Sequence, residues 1–219
     1  MKNLFLILSA IILLASCKTQ KNSTAKSTPS FEGKLVYSLT FEDLPAEYEA
    51  YASMFPKEMT MYVKGEKSRT EQPSGMGNTI TIVDSKEKSM FIILDMMGMK
   101  NAYKLTPEEM EKQKGSASKP EIVYSDETKT IAGYTCKKAE ITQDGLTSTV
   151  YYTEEIPSGH SKNFGDLKGF PMEYTIKANG MTIVTEVKSV STEKISDKFF
   201  AVPEGYEIKP YSEFPSMGG

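Results

Sequence analysis

The chain is poor in the side chains that most often recognise nucleic acids or hold metals. Arg69 is the only arginine among 26 basic residues, and the formal net charge is −3. Arginine is the usual side chain for phosphate and base recognition, so we expect no nucleic-acid partner. The only histidine, His160, lies in a Gly/Ser-rich loop, and one histidine cannot build a zinc site of the usual composition.

Recognisable catalytic motifs are also missing from the sequence. It contains no phosphate-binding loop, no dinucleotide-binding glycine motif, no nucleophile elbow and no Cys-x-x-Cys pair. We therefore expect a protein that is not an enzyme, with no cofactor, no catalytic residues and no conventional metal site.

Long apolar runs are confined to the N-terminus. Residues 4–14 follow the positive charge of Lys2 and are about as long as the core of a signal peptide. They fall short of the roughly 20 apolar residues that a membrane-spanning helix needs. The run ends in Leu14-Ala15-Ser16-Cys17, which resembles a bacterial lipobox. The resemblance implies cleavage before Cys17 and lipidation there by palmitate-type acyl chains; an ordinary signal peptide with an incidental cysteine is the alternative.

Two or three acyl chains would hold the protein durably on a membrane. Lys18 stands where an aspartate commonly marks such lipoproteins for the inner membrane, and no acidic export signal follows it. We expect a lipid-anchored protein of the cell envelope, on the periplasmic face of the outer membrane. The predicted domains are a signal peptide (1–16), the lipidated cysteine with a flexible tether (17–30), one β domain (31–210) and a loose tail (211–219).

Apolar and polar residues alternate along most of the chain after Phe31, as in antiparallel strands with one wet face. The clearest runs are KLVYSLTF, EMTMYV, NTITIVD and FPMEYTIKA, and SMFIIL is apolar on both faces. Asp144-Gly145 and Asn179-Gly180 are hairpin turn signals. The pattern predicts a mainly β domain: a single curved antiparallel meander of about ten strands, either an open half-barrel or a closed barrel.

Two helices interrupt the predicted meander. Leu44, Tyr48, Tyr51 and Phe55 form an amphipathic stripe that favours one helix over 44–55, closed by Pro56. TPEEMEKQKG carries a capping box, from Thr106 to Gly115, that predicts a second, short helix. The first helix favours the open half-barrel, with one or two helices packed on its concave side.

Several pieces of sequence resemble a known family. They include FEGKLVYSLTF, MTMYVKGEKSRTE, KTIAGYTCKKAEI, LKGFPMEY and ISDKFFAVPEGYEI, in this order. The chain resembles a family of uncharacterised Bacteroidota lipoproteins, a domain of unknown function related to GLPGLI-type proteins. Both groups are similar to the LolA/LolB lipoprotein-carrier superfold. The resemblance implies an open half-barrel whose helices cover an apolar cavity, and it implies no known activity.

Cysteine and methionine are the residue types in this sequence that are candidates for catalysis, ligand binding or metal binding. With Cys17 lipidated, Cys136 has no intrachain partner, and we interpret it as a small buried apolar residue rather than a nucleophile. The 13 methionines permit three readings: core packing, a pliable apolar cavity, or thioether copper binding through Met59-x-Met61 or Met96-Met97-x-Met99. The methionines on predicted apolar faces or beside them are Met54, Met59, Met61, Met90, Met96, Met97, Met99, Met172 and Met181.

These observations favour a membrane-anchored envelope lipoprotein that binds an apolar ligand, a lipid or acyl chain, in a half-barrel cavity. The residues that we expect to line the cavity are Tyr48, Tyr51, Phe55, Met59, Met61, Met90, Ile92, Met172 and Tyr174. A protein-interaction module of the cell envelope, with a protein partner, is the alternative. Methionine-based copper binding and a Cys136-dependent enzyme come third.

Overall fold

One twelve-stranded sheet forms the framework of the protein in a computed structural model, which describes residues 31–96, 98–114, 118–157, 164–178 and 180–215. The alternating segments of the sequence are strands with nearly the expected bounds. The strands are β1 (Glu32–Glu42), β2 (Glu58–Lys64), β3 (Lys67–Ser74), β4 (Gly77–Asp84), β5 (Ser89–Met96), β6 (Met99–Leu105), β7 (Glu121–Ile131), β8 (Tyr134–Gln143), β9 (Leu146–Thr153), β10 (Phe170–Ala178), β11 (Met181–Thr192) and β12 (Glu207–Pro210).

The sheet consists of two meanders joined through β1 and β11. Its order is β12-β6-β5-β4-β3-β2-β1-β11-β10-β9-β8-β7, and all neighbours are antiparallel except β12 and β6. The sheet is open, because β12 and β7 are its two edges. The expected mainly β, open antiparallel fold is confirmed, with twelve strands in place of about ten.

The sheet curls at its β7 edge. β7 lies against β11, although three strands separate them in the order. Lys129 of β7 also pairs with Glu173 of β10 at 2.5 Å. Two described residues between β9 and β10 pack at this end: Ile156 joins a buried cluster, and Leu167 joins another with Val150.

The helices are short. Within 44–55, the helix α1 covers only Ala46–Glu49, and a 3-10 turn follows at Ala52–Met54. The expected continuous helix is wrong here: the chain is extended at Phe55, whose ring stacks on Phe41 of β1 at 4.9 Å. A helix this short gains little from its own hydrogen bonds, so a tertiary contact decides the conformation.

The second helix, α2 (Pro107–Lys114), begins as the capping box predicts. The Thr106 amide donates a hydrogen bond to the Glu109 carboxylate at 2.7 Å, and the Glu109 amide donates one to the Thr106 hydroxyl at 3.2 Å. No helix in the described parts of the chain is both long and apolar enough to span a membrane.

A segment that the sequence did not predict, the C-terminal strap (residues 193–206), crosses one face of the sheet. Phe200, Val202 and Tyr206 of the strap pack against a buried cluster on β4 to β6. The members of that cluster are Ile80, Ile82, Ile93 and Ala102. We call this side of β2 to β6 the strap face. The strap leads into β12, which extends the sheet beside β6.

The only arginine fixes the strap in place. Arg69 of β3 is buried, its Nε donates to the Glu71 carboxylate at 2.7 Å, and its Nη1 donates to the carbonyl of Phe199 at 3.1 Å. Its guanidinium also lies 4.5 Å from the centre of the Phe199 ring. At the far end of the strap, the Tyr206 hydroxyl donates to Asp95 at 2.7 Å. Charged and aromatic contacts therefore hold the middle of the strap and its C-terminal end.

Residues after β12 turn to the opposite side of the sheet. Tyr211–Glu213 form a 3-10 turn, and the Phe214 ring packs edge-on against Tyr103 of β6 at 5.1 Å. Phe214 therefore contacts both Tyr103 of the sheet and Tyr211 of the turn.

Candidate functional site

The candidate site is the side of β2 to β6 opposite the strap, which we call the methionine face. The unbroken register from β2 to β6 fixes which side chains share this face, because residues opposite one another point the same way. One row across it runs Met61, Thr70, Thr81, Ile92 and Tyr103. Strand alternation adds Met59 on β2, Thr79 on β4, and Met90, Leu94 and Met96 on β5.

Burial changes along the methionine face. Val63 and Leu105 are fully buried at one end. Toward the other end the apolar side chains are only half-buried, including Met61, Ile92 and Leu94. The threonines Thr70, Thr79 and Thr81 lie between these apolar side chains on the same face. The face is therefore a pliable apolar surface that retains contact with solvent, since thioether side chains adapt easily to a partner's shape.

The loop between β1 and β2 forms the rim at the half-buried end. Phe55 stacks on Phe41, and the Gly75 amide of the β3–β4 turn donates a hydrogen bond to the carbonyl of Met54 at 3.1 Å. Tyr51 is 55% exposed beside it. This rim carries exposed apolar side chains instead of a buried helix.

The structure brings together most of the residues that the sequence assigned to a cavity. Met59, Met61, Met90 and Ile92 lie on the methionine face. Tyr174 lies on the continuation of the same face, because Leu39 of β1 is opposite Thr185, which is opposite Tyr174.

The remaining predicted residues are distributed differently. Met172 is fully buried in the cluster that contains Leu35 and Val187, so it packs in the core. Tyr48 is half-buried on α1, while Tyr51 and Phe55 belong to the rim. No bound ligand tests any of these assignments, which stay predictions.

One hydroxyl is buried beside the methionine face. Tyr37 of β1 is 3% exposed, and its hydroxyl donates to the Met61 sulfur at 3.7 Å. Burial, with a smaller contribution from Tyr174, holds the pKa of Tyr37 well above its usual range. The phenol therefore stays neutral, and its thioether contact leaves the surface apolar in character.

Cys136 lies in the core. Its side chain is fully buried, and its Sγ donates a long hydrogen bond of 3.5 Å to the carbonyl of Tyr134. Burial raises the pKa of the thiol, and a nearby backbone hydrogen bond and Lys129 oppose this only in part. A nucleophilic cysteine needs the reverse shift together with access to solvent. This geometry supports the structural interpretation of Cys136.

The two lysines that follow Cys136 on β8 are engaged in ion pairs with carboxylates. Glu154 pairs with Lys137 at 2.9 Å, and Glu127 pairs with Lys138 at 3.1 Å while accepting from the Tyr151 hydroxyl. No group of three or more His, Cys, Asp and Glu that could hold a metal ion occurs in the part of the chain that the structure describes. His160, Cys17 and Met97 lie outside the described residues.

The fold and the site define a class: an open antiparallel β domain that presents one adaptable apolar face. Within that class, the chain belongs to the family described as the N-glycanase peptide, N-terminal domain, whose model matches residues 36–204. A comparison with curated protein sequences finds no match.

Among solved structures, the chain is similar to PNGF-II in its C2 crystal form, with 18% identity and a TM-score of 0.51. The P21 form gives 18% identity and a TM-score of 0.48. In both cases the match covers 82% of this chain and 31% of the other, so the chain spans about a third of that protein. LprF from Mycobacterium bovis is 9% identical over 80% of this chain and 90% of that chain, with a TM-score of 0.34. The expected relation to GLPGLI-type lipoproteins and to the LolA/LolB superfold stays a prediction.

Proposed function

We propose that the protein is a non-catalytic envelope lipoprotein that binds an apolar ligand, a lipid or acyl chain, on its methionine face. The observation that carries the proposal is the half-buried state of Met61, Ile92 and Leu94 on strands whose opposite face is sealed by the strap. A ligand that removes roughly 200 Å² of this apolar surface from water gains about 5 kcal/mol before the costs of association.

The chemistry of the face suits a ligand of variable shape. Thioether and aliphatic side chains contact a ligand without requiring a particular direction of approach. The threonine hydroxyls can donate a hydrogen bond to a lipid ester or headgroup, or accept one from it. The buried Cys136 thiol and the paired surface carboxylates support a binding role over a catalytic one.

Native mass spectrometry of the purified full-length chain tests the proposal. After organic extraction, the protein is titrated with a fatty acid and with a phospholipid, and we expect a saturable complex with one of them. Ile92→Asp places a charge in the centre of the face and should weaken binding at least tenfold. The matched control is Val123→Asp, at a 58% exposed position on edge strand β7, which should bind like the wild type. No saturable complex, or equal binding by both variants, contradicts the proposal.

The membrane anchor is a separate part of the proposal and has its own test. We infer that acyl chains on Cys17 hold the domain at the periplasmic face of the outer membrane, as the lipobox resemblance suggests. Metabolic labelling with an alkyne-bearing palmitate should mark the wild-type protein and not a Cys17→Ser variant. Equal labelling of both, or labelling of neither, contradicts acylation at Cys17.

Family membership favours a second candidate, a module that binds another protein of the envelope. The matched family is named for the N-terminal domain of a larger protein, and such a domain works beside other domains. Strand addition at the sheet edges is disfavoured, because β12 has four residues and ends in Pro210, and β7 is broken by a register shift between Tyr124 and Thr128. Crosslinking in cells separates the candidates: one stoichiometric protein partner favours the second, and recovered lipid favours the first.

A further inference from the structure

Four methionines occupy neighbouring backbone positions at the rim of the methionine face, and three of them are exposed. Met54, Met76 and Met99 are 41%, 45% and 56% exposed, and Met96 is half-buried. Met172 and Met181, by contrast, are buried. Core packing therefore does not account for the three exposed methionines of the rim. A single exposed apolar side chain is ordinary, whereas several at neighbouring positions commonly mark an interaction site.

The backbone brings three separate segments together at this point. Met96 and Met99 are directly opposite each other where β5 and β6 meet, so their Cβ atoms lie about 5 Å apart. Gly77 is opposite Met96 on the next strand, which places Met76, in the turn just before it, beside this pair. Met54 adjoins the same turn through the hydrogen bond of its carbonyl with Gly75.

Two glycines permit this close approach. A Cβ at Gly75 would lie 2.9 Å from the Met54 Cα, and one at Gly77 would lie 2.8 Å from the Met96 Cα and 2.2 Å from the Asp95 carbonyl oxygen. Gly77 also has a φ of 136°, which side chains rarely adopt. The turn that carries Met76 can therefore lie close to Met54 on one side and to Met96 on the other, because Gly75 and Gly77 have no side chains.

We propose that Met54, Met76, Met96 and Met99 form a binding site for a soft monovalent cation, Cu⁺, with Ag⁺ as its analogue. Soft thioether ligands select Cu⁺ over hard divalent ions. Methionine has three rotatable side-chain bonds, so sulfurs from adjacent backbone positions can converge on one ion. The site lies at the rim, and the methionines Met59, Met61 and Met90 on the floor of the face take no part in it. The proposal is independent of the apolar ligand proposed above.

Nuclear magnetic resonance of the full-length protein, labelled with ¹³C at the methionine methyl groups, tests the site. We expect the methyl signals of the four rim methionines to shift together and saturate at one equivalent of Ag⁺. The signal of the buried Met172 should stay in place. Binding to a thiol, at Cys136 or at an unmodified Cys17, leaves the four rim signals unchanged and would overturn the proposal.

Paired variants sharpen the test. The double variant Met76→Leu with Met99→Leu preserves volume and apolarity and should weaken Cu⁺ binding at least tenfold in competition with a chromogenic Cu⁺ chelator under reducing conditions. The double variant Met59→Leu with Met61→Leu should bind Cu⁺ like the wild type. Unchanged affinity in the rim variant, or lost affinity in the floor variant, overturns the proposal. Neither result bears on lipid binding, which is measured separately with Ile92→Asp.

Discussion

The two faces of strands β2 to β6 both carry apolar side chains, but they differ in burial. On the strap face, Ile80, Ile82 and Ile93 are at most 4% exposed beneath the strap. On the methionine face, Met61, Ile92 and Leu94 are half-buried. Ile92 and Ile93 are adjacent isoleucines in one strand, so the side-chain type and the secondary structure are the same for both. The difference lies in what packs above each face.

We infer different roles for the two faces from this difference in side-chain burial. A sealed face gains the full benefit of burial and stabilises the fold. A half-buried face gives up part of that benefit and leaves apolar surface for a partner, as binding surfaces commonly do. The strap face accordingly contributes to stability, as do Val63 and Leu105 at the buried end of the methionine face. The half-buried part of the methionine face is the candidate for binding.

The largest expected effect comes from the neighbouring isoleucines. Ile93→Ala should lower the free energy of unfolding by about 3 kcal/mol, because it leaves a cavity under the strap. Ile92→Ala should cost about 1 kcal/mol, because part of its surface already contacts water and it is less tightly enclosed than Ile93. Urea denaturation of both variants measures the pair. Equal losses would mean that the two faces are equally buried and would contradict their assignment to different roles.

The contacts of Arg69 with Glu71 and with the strap should have the next largest effect. Arg69→Ala removes the ion pair with Glu71 and the hydrogen bond to Phe199, and it should cost about 2 kcal/mol. Arg69→Lys keeps the charge but loses the planar fork, so it should fall between the wild type and the alanine variant. Lys104→Ala, at an exposed position on the same face, is the control and should change stability by less than about 0.5 kcal/mol. A loss in the control equal to that of Arg69→Ala would contradict a specific stabilising role for the Arg69 contacts.

A smaller effect is expected at the edge of the methionine face. Phe214→Ala removes the ring that covers Tyr103 and should cost about 1 kcal/mol. It also uncovers apolar surface beside the proposed binding face, so fluorescence of an apolar dye such as ANS should rise. Phe199→Ala, on the strap, provides the contrast: it should destabilise the fold more. The reverse ranking of stability would contradict the division of roles between the faces.

The smallest effect concerns pH. Lys64, and after it Lys67, lowers the pKa of Asp197 below its ordinary value of 3.8. A carboxyl whose folded pKa is depressed stabilises the fold above its unfolded pKa and loses that contribution as pH falls through the folded pKa. The stability difference between wild type and Asp197→Asn should therefore be constant near neutral pH and shrink below about pH 4. A carboxyl resonance of Asp197 that titrates at the ordinary value would contradict the shift.

Strand position and helix capping could be predicted from the sequence because both are local. Alternation located β1, β2, β4 and β10, and the Thr106–Glu109 capping box located α2. β3 reads KSRTEQPS, with no apolar alternation, and its buried Arg69 becomes intelligible only when the strap lies above it. The strap itself is an irregular segment, and its position depends on contacts about 130 residues apart in sequence, such as that between Arg69 and Phe199.

The candidate site could be predicted in part for the same reason. Alternation shows that Met59 and Met61 share a face, and likewise Met90 and Ile92. It does not show what covers a face, so it could not separate the buried Met172 from the half-buried Met61. The rim cluster depends on pairing between strands, as between Met96 and Met99, and on the close approach that Gly77 permits.

The most direct test of the central claim is to map where an acyl chain contacts the protein. A fatty acid carrying a photoreactive diazirine is added to the full-length protein, irradiated, and located by peptide mass spectrometry. Binding on the methionine face predicts crosslinks on β2 and β5, at residues such as Met61 and Ile92, that an excess of unlabelled fatty acid abolishes. Crosslinks on the strap, or crosslinks that unlabelled fatty acid does not displace, would contradict it.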